Sequence, residues 1–447
     1  LEDVVSTWRK ADPYIIKEIH GEDLQKYYEA VTNKESITSS IKSKVLANQT
    51  SEYTNSFYFK YGMMYLLTPA PISDYDINIL KRFAGVFKLT YRRFLDIQNA
   101  EAQAREAEIE LALERVRART MAMQRSDELL EVATVMFQQI KALGVSQWNC
   151  GFNIWEAGDQ EFTYYPGSPD GKIIPFTCKI PLNEHPVFKR FEESKKRGEK
   201  LLIYEKKGKE QKDHYDYMLS LPGVGDFLRS MMDADFELPE FQIDHVANFA
   251  YGNLIFITYE HFPEMHNVFE RFAKVFEQTY TRFLDLEKAE AQAREAQIEA
   301  AMERIRSKSM SMSSSKDIGG TVATLFDESV KIGHSKTART GIGIFDDSNY
   351  VKLWSAITDT NDEAVLRTGQ LDMSLNQSNV KVKNAWQRGD KDYYFEMKGL
   401  ELLEYYKTIN EASSYDLEID LKNLPQKEYW YQCYFKYGLF YAIDRVE

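Results

Sequence analysis

The feature that most constrains this chain is a long segment that occurs twice. The first copy, RFAGVFKLTYRRFLDIQNAEAQAREAEIELALERVRARTMAM, begins at Arg82, and the second, RFAKVFEQTYTRFLDLEKAEAQAREAQIEAAMERIRSKSMSM, begins at Arg271. The copies align without a gap, 271 − 82 = 189 residues apart, which indicates internal duplication. A chain of this kind is built from repeated structural units, so the remaining sequence is compared across the same period.

The composition of this segment predicts a helix. It is rich in Ala, Glu, Arg, Leu and Met, it contains no Pro, and its first copy has a single glycine, Gly85. The abundant residues have high helix propensity, whereas Pro and Gly interrupt helices. We therefore predict two connector helices, over residues 81–125 and 267–314.

Apolar residues recur at every seventh position of both connectors. Such a repeat keeps one stripe of a helix facing a partner helix as the two supercoil. We predict that this stripe is the seam of a parallel homodimer, formed by Leu95, Ala102, Ile109, Val116 and Met123 in the first connector and by Leu284, Ala291, Ile298, Ile305 and Met312 in the second. Antiparallel pairing would use the same stripe. The intervening positions are mixed, and Glu106 and Thr120 are polar, so the other alternative is a solvated spacer helix.

A complete unit lies between the connectors, over residues 126–266. It begins with an amphipathic helix from Ser126, continues through β-like runs separated by turn-forming residues, and closes with a hairpin from Phe241 that turns at Gly252. The predicted order is α-β-β-β-α-β-α-β-β-α. The predicted fold class is therefore α+β, with a mostly antiparallel sheet flanked by helices in each repeated unit.

Parts of the same unit recur at both ends of the chain. The sequence from Ala323 repeats the first helix and strand, and FYFKYGMMYLL from Phe57 matches CYFKYGLFYAI from Cys433. We assign an incomplete first unit, without its early strands, to residues 1–80, and a third unit, without its exit helix, to residues 315–447. Either residues precede Leu1 in the whole protein, as we expect, or the incomplete ends complete one another between chains.

Charge and cysteine content restrict the partners and the location. The chain has 56 Lys and Arg against 69 Asp and Glu, a net charge of −13, whereas nucleic acids and anionic membranes attract clustered positive charge. No apolar run approaches the roughly 20 residues needed to span a bilayer. Three distant cysteines, Cys150, Cys178 and Cys433, fit reduced thiols. We expect a cytoplasmic protein that binds neither nucleic acid nor membrane.

Helix-bounded α+β units joined by long helices resemble the GAF-type sensor domains of bacterial sensor histidine kinases and related multidomain signalling proteins. The linker ALERVRARTMAM, beginning at Ala112, is similar to linkers in such kinases. The resemblance implies sensing within a two-component system, with an effector domain outside these residues. It supplies no ligand, because NKES at Asn33 lacks the remainder of a cyclic-nucleotide motif and no Cys is followed by the His of bilin-binding members. We therefore expect no cofactor.

Catalytic and metal-binding patterns are absent from the sequence. The seven histidines form neither an HExxH motif nor a Cys/His cluster at zinc spacing, and the GxG at Gly341 lies on a predicted strand rather than before a helix. No nucleophile and base stand at a recognisable spacing. We expect no metal site and no enzymatic activity within these residues, an expectation that turnover dependent on Glu205 or His214 would contradict.

One constellation recurs in all three units and suggests a ligand pocket. EIHG at Glu18, EKKG at Glu205 and EMKG at Glu396 each end a predicted strand, and aromatic residues follow six positions after each Gly. A carboxylate and ring groups on a pocket wall could orient a small molecule in an apolar cavity. The predicted lining in the complete unit is Trp148, Phe152, Phe176, Tyr204, Glu205, His214, Tyr217, Met218 and Phe227. The alternative is that these residues only cap helices and pack the core.

The sequence therefore favours a non-catalytic sensory or regulatory region of a bacterial signalling protein. It would dimerise through its helices and pass changes caused by an unknown small molecule or partner to a downstream effector domain. The alternative is a scaffold or protein-interaction module that binds no small molecule. An enclosed cavity in the middle unit would favour sensing, whereas a filled core with an exposed apolar patch would favour the scaffold.

Overall fold

The structure is a computed structural model that describes residues 14–32, 51–156, 158, 160–233, 237–333, 339–346, 348–358, 364–412, 414 and 419–446. Residues 1–13 and 33–50 of the predicted first unit, including the NKES motif, lie outside this description. The chain divides into two compact units, one of Leu1–Ala122 with Leu129–Thr279 and one of Met123–Glu128 with Tyr280–Glu447.

The first three strands form a small antiparallel sheet. They are β1 (Tyr14–His20), β2 (Ser51–Phe59) and β3 (Gly62–Thr68), paired in that order, with helix α1 (Gly21–Thr32) after β1. Helix α2 (Asp74–Ala122) follows β3 and packs against β2. The rings of Phe59 and Phe87 meet edge to face at 5.5 Å, which fixes the first turns of α2 on this sheet.

A six-stranded antiparallel sheet forms the core of the middle part. Its strands are β4 (Gln147–Trp155), β5 (Glu161–Pro166), β6 (Cys178–Pro181), β7 (Leu201–Lys207), β8 (Phe241–Phe249) and β9 (Gly252–Thr258). They lie in the order β6-β5-β4-β9-β8-β7. The helices of this part are α3 (Leu129–Ala142), α4 (Pro186–Lys196), α5 (Gly208–Ser220), α6 (Val224–Asp233) and α7 (His266–Met310).

The two faces of this sheet carry different helices. Because side chains alternate along a strand, Phe152 faces α7 and its ring lies 4.9 Å from that of Phe276, while the next residue, Asn153, faces the other way. That other face packs against α4, α5 and α6 through a hydrophobic cluster that includes Phe162, Phe191 and Leu228. The sheet therefore separates the long helices from the layer of short ones.

The second compact unit contains another six-stranded antiparallel sheet. Its strands are β10 (Arg339–Phe345), β11 (Tyr350–Thr358), β12 (Ala364–Asp372), β13 (Asp392–Lys398), β14 (Lys427–Phe435) and β15 (Gly438–Val446). They lie in the order β12-β11-β10-β15-β14-β13. Helices α8 (Ile318–Lys331), α9 (Gln377–Arg388) and α10 (Gly399–Glu411) accompany them. The predicted α+β class with mostly antiparallel sheets is confirmed.

Two helix assignments differ in detail from the sequence prediction. Helix α6 was not predicted, because Pro222 and Gly223 indicated only a turn; the turn is present, with Gly223 at φ +77°, and a helix with buried Val224 and Leu228 follows it. The long helices run from Asp74 to Ala122 and from His266 to Met310, where the predicted connectors cover 81–125 and 267–314.

Helix α2 and the first part of α7 run side by side in the first compact unit. Arg271 pairs with Glu106 at 2.9 Å and with Glu110 at 2.5 Å, and the hydroxyls of Thr120 and Thr279 lie 2.7 Å apart. Residue numbers rise together along both helices, so this pairing is parallel. It occupies the end of α2 within a single chain.

The predicted dimer seam is distributed unevenly over the surface. Ile109, Val116 and Met123 are buried within the chain, so in the first connector a second chain could reach only Leu95 and Ala102 without displacing this packing. In the second connector Ala291 and Met312 are exposed, and Leu284, Ile298 and Ile305 are half-buried. The dimer itself stays a prediction.

Candidate functional site

A cavity of about 50 Å³ lies in the middle part, on the sheet face that carries the short helices. It mixes apolar side chains with several polar ones. Its lining residues are Asn153, Phe162, Tyr164, Ile180, Phe188, Phe191, Lys206, His214, Met218, Gln242, Asp244, Ile255 and Ile257. Space of this size holds about three to five water-sized groups.

A buried ion pair forms one wall of the cavity. Lys206 and Asp244 are each 1% exposed, and the Lys206 Nζ lies 2.5 Å from the Asp244 Oδ2. Gln242 donates its amide to the other Asp244 oxygen at 2.7 Å. Burial lowers the pKa of Lys206, and the Asp244 carboxylate opposes that shift. The pair carries no net charge, which makes its burial tolerable.

Strand alternation and a hydrogen-bond network place this pair. Lys206 shares a face of β7 with Tyr204, and it lies directly across from Gln242 of β8 in the sheet register. The Gln242 side-chain oxygen accepts from Tyr215 at 2.6 Å and from Gln211 at 2.8 Å, both on α5. Gly208 starts α5 with φ +56°, a value that favours glycine. The helix is thereby anchored to the strand that holds Asp244.

Two polar side chains of the lining have buried atoms without a hydrogen-bond partner. They are the His214 Nδ1 and the Asn153 Oδ1, in side chains that are 6% and 1% exposed. The pKa of His214 is held well below its usual range by burial, then by the charges of Lys206 and His185, so the ring is neutral at pH 7. A neutral imidazole offers one donor and one acceptor, and Asn153 offers an acceptor.

The structure brings two of the predicted lining residues to the cavity, His214 and Met218. Glu205 points to the opposite face of β7, where its carboxylate lies 2.9 Å from Lys207 and 3.4 Å from His261. Phe152 faces the long helices and stacks on Tyr165 at 4.3 Å.

The other predicted residues surround the cavity without lining it. Phe176 and Phe227 stack on each other at 5.7 Å, and Trp148 is buried in the hydrophobic cluster that surrounds the cavity. Tyr204 donates its hydroxyl to Glu210, and Tyr217 donates to Glu184 at 3.0 Å.

The polar residues of the cavity were not predicted, although one signal was present. In the EKKG, EMKG and EIHG segments, Lys206 matches Met397 and Ile19 of the other units. The three units also share an FxYG segment, which begins at Phe249, Phe435 and Phe59. Five residues before this segment, Asp244 corresponds to Trp430 and Thr54. A charge in place of an uncharged residue at a position facing inward is unusual, and comparing the copies along the strand period reveals it.

The part of the chain that the structure describes has no group of three or more His, Cys, Asp or Glu side chains placed to hold a metal ion. None of the helices in these described residues is long and apolar enough to cross a membrane.

No protein-family model matches this sequence, and no curated protein matches it. Among solved structures, the crystal structure of a bacteriophytochrome from the photosynthetic bacterium R. palustris aligns with 88% of this chain and 68% of its own, at a TM-score of 0.31 and 9% sequence identity. A TM-score of this size does not establish a shared fold. Function is therefore inferred from the residues of this chain.

Proposed function

We propose that this chain is a non-catalytic sensory region in which the middle cavity binds a small, net-neutral polar molecule. The observation that carries the proposal is the buried Lys206–Asp244 pair, together with the unpartnered His214 Nδ1 and Asn153 Oδ1 on the same cavity. Any catalytic output would lie in an effector domain outside these residues.

The polar atoms that line the cavity restrict the charge and the hydrogen-bonding groups of a ligand. A buried polar atom without a partner costs roughly 1–3 kcal/mol, and a bound molecule could recover this cost. Lys206 supplies N–H donors and the Asn153 Oδ1 supplies an acceptor, while the His214 Nδ1 donates or accepts according to the tautomer of the ring. The ion pair is already neutral, so a charged ligand would add an uncompensated buried charge. These properties favour a molecule with both a donor and an acceptor and no net charge.

The sheet connects this cavity with the long helices. Asn153 lines the cavity, and its neighbour Phe152 contacts Phe276 of α7. Asp244 lines the cavity, and its neighbour His245 lies 5.3 Å from the ring of Phe269 on α7. A shift of either strand on ligand binding would therefore move a contact to the helix. We propose that this connection transmits the signal, through different affinities for two helix arrangements.

The test is ligand-observed NMR on the whole chain with a size-matched panel of acetamide, glycine, acetate and methylammonium. We expect acetamide or glycine to bind and the two ions to bind at least tenfold more weakly. Lys206→Met together with Asp244→Leu should abolish binding, and the exposed neighbour change Lys207→Met is the matched control. Equal binding of all four probes, or unchanged binding by the double variant, would contradict the proposal.

A protein-interaction module is the second candidate, and one observation favours it. Phe83 and Val86 of α2 are 60% and 61% exposed, whereas their copies Phe272 and Val275 in α7 are 0% and 3% exposed. An exposed row of this kind is typical of a docking surface. If none of the four probes binds, this module becomes the better description of the chain.

A further inference from the structure

The second compact unit contains a cavity of its own, of about 50 Å³, lined by residues from all six strands of its sheet and from α9 and α10. Its apolar wall includes Val351, Leu371, Val382 and Leu439. Its polar groups differ from those of the middle cavity. Met397, which is buried, occupies the position equivalent to Lys206 of the middle unit, and Trp430 occupies the position equivalent to Asp244.

Two hydrogen-bond donors of this cavity have no partner. They are the Trp430 Nε1 and the Asn379 Nδ2, both buried, in side chains that are 6% and 5% exposed. An indole N–H can only donate. A buried donor without an acceptor carries a desolvation cost that a bound acceptor atom would remove.

The charge of the cavity wall is positive. Arg339 lines the cavity and is 5% exposed, and its guanidinium carbon lies 5.5 Å from the centroid of the Trp430 ring. None of the described residues that line the cavity is acidic. Arg339 donates to the Tyr406 hydroxyl at 3.1 Å, and Tyr406 in turn donates to the Glu428 carboxylate at 2.5 Å.

We propose that this cavity binds a small monocarboxylate with a short aliphatic tail. The carboxylate would accept hydrogen bonds from Trp430 and Asn379 and would be attracted by the nearby positive charge of Arg339, and hydrogen bonds to a charged acceptor are the strong ones. The tail would pack against Val351, Leu371 and Leu439. Space for about three to five water-sized groups sets the ligand at the size of propionate.

The experiment compares propionate with propionamide, its neutral counterpart of the same shape, by ligand-observed NMR titration of the whole chain. We expect propionate to bind at least tenfold more tightly. Trp430→Phe keeps the aromatic ring and removes the N–H, and Asn379→Asp keeps the shape and replaces the donor by a carboxylate. Each should weaken propionate binding by about tenfold or more.

The matched control is Trp354→Phe, the same change in the same sheet, at a side chain that packs against Val322 and Phe326 outside the cavity. It should leave propionate binding unchanged, as should His214→Phe in the middle unit. Thermal unfolding followed by circular dichroism verifies that each variant is folded. Equal affinity for propionate and propionamide, absence of propionate binding, or full binding by folded Trp430→Phe would overturn the proposal.

Discussion

Lys206 and Asp244 depend on each other for their burial. Each is 1% exposed, and each is the sole opposite charge in contact with the other among the described residues. Moving one charge out of water is expensive, and the pair tolerates it only through mutual attraction and the hydrogen bond from Gln242. The two residues therefore contribute to stability as a unit.

Changing Lys206→Met should destabilise the middle part by about 3–5 kcal/mol, because it leaves the Asp244 carboxylate buried without its partner. Adding Asp244→Leu should restore most of the loss, because no charge then remains. The measurement is urea unfolding followed by circular dichroism. Lys207→Met, at an exposed neighbour, is the control. A single variant as stable as the unchanged chain would show that the pair is not the buried unit described here.

His245 makes stability depend on pH. It is fully buried, its Nε2 lies 3.0 Å from the Thr258 hydroxyl, and burial, then the charges of His266 and His261, lower its pKa from 6.5 to about 4. Between pH 6.5 and about pH 4, His245 binds a proton in the unfolded chain but stays neutral in the folded chain. Stability is therefore complete above about pH 6.5 and is lost progressively as the pH falls to about 4, by about 3 kcal/mol for this group.

Replacing His245→Gln should remove that part of the pH dependence. The free energy of unfolding, measured in urea at pH 7 and pH 4, should fall by about 3 kcal/mol less in the variant than in the unchanged chain. His214 and His185 also have lowered pKa values and titrate in the same direction in both proteins. Identical pH dependence in the two proteins would contradict the role of His245.

The sequence predicted two residues that line the cavity, but on strand β7 it indicated a residue on the opposite face. His214 and Met218 were predicted and line the cavity. Glu205 was chosen because it recurs in every unit, but recurrence is also what fold maintenance produces. Lys206, which differs between units, faces inward. Pairings between β7 and β8 follow from tertiary register, which a single sequence does not specify.

At the scale of elements, the hairpins show how the sheet limits side-chain size. Gly252 and Gly438 each open the second strand of a hairpin, and a Cβ there would overlap the carbonyl oxygens of Asn153 and Gly343 on the adjacent strand. Gly62 holds the same place in the first sheet, where a Cβ would meet only the Phe59 ring at 3.7 Å.

Gly252→Ala should therefore cost about 1–3 kcal/mol, as overpacking does, whereas Gly62→Ala should be close to neutral. The comparison is made by thermal unfolding of the two variants. Similar losses in both would mean that the adjacent strand is not what constrains Gly252.

The helices and hairpins were predictable because their signals are local. The Ala- and Glu-rich repeat predicts α2 and α7, and the turn at Gly252 predicts the β8–β9 hairpin. Helix α6 was not predicted, because Pro222 and Gly223 dominate the local signal and its ten residues are stabilised by burial of Val224 and Leu228 rather than by propensity. The pairing of β4 with β9 joins residues about a hundred apart and has no local signal.

At the scale of the whole molecule, part of the predicted dimer seam is buried by packing within the chain itself. Ile109 and Val116 are buried within the chain, which a seven-residue repeat does not distinguish from burial between chains. Ala102 and Ala291 are exposed members of the predicted seam, so they can test dimerisation without disturbing the fold.

Ala102→Asp with Ala291→Asp should convert a dimer into a folded monomer, because two negative charges would face each other at each of the two seam positions. Ala104→Asp with Ala293→Asp, also exposed but off the stripe, should leave the dimer intact. Light scattering gives the mass of each protein. If the unchanged chain is a monomer at micromolar concentration, the parallel-dimer prediction is wrong.

The buried ion pair also restricts how the repeated units could have diverged after duplication. Where the middle unit has Lys206 and Asp244, the third has Met397 and Trp430. A single change from either set towards the other would leave one charge buried without its partner, so each such intermediate would be less stable than both end points. Divergence of the two units at these positions is therefore least costly when both residues change together.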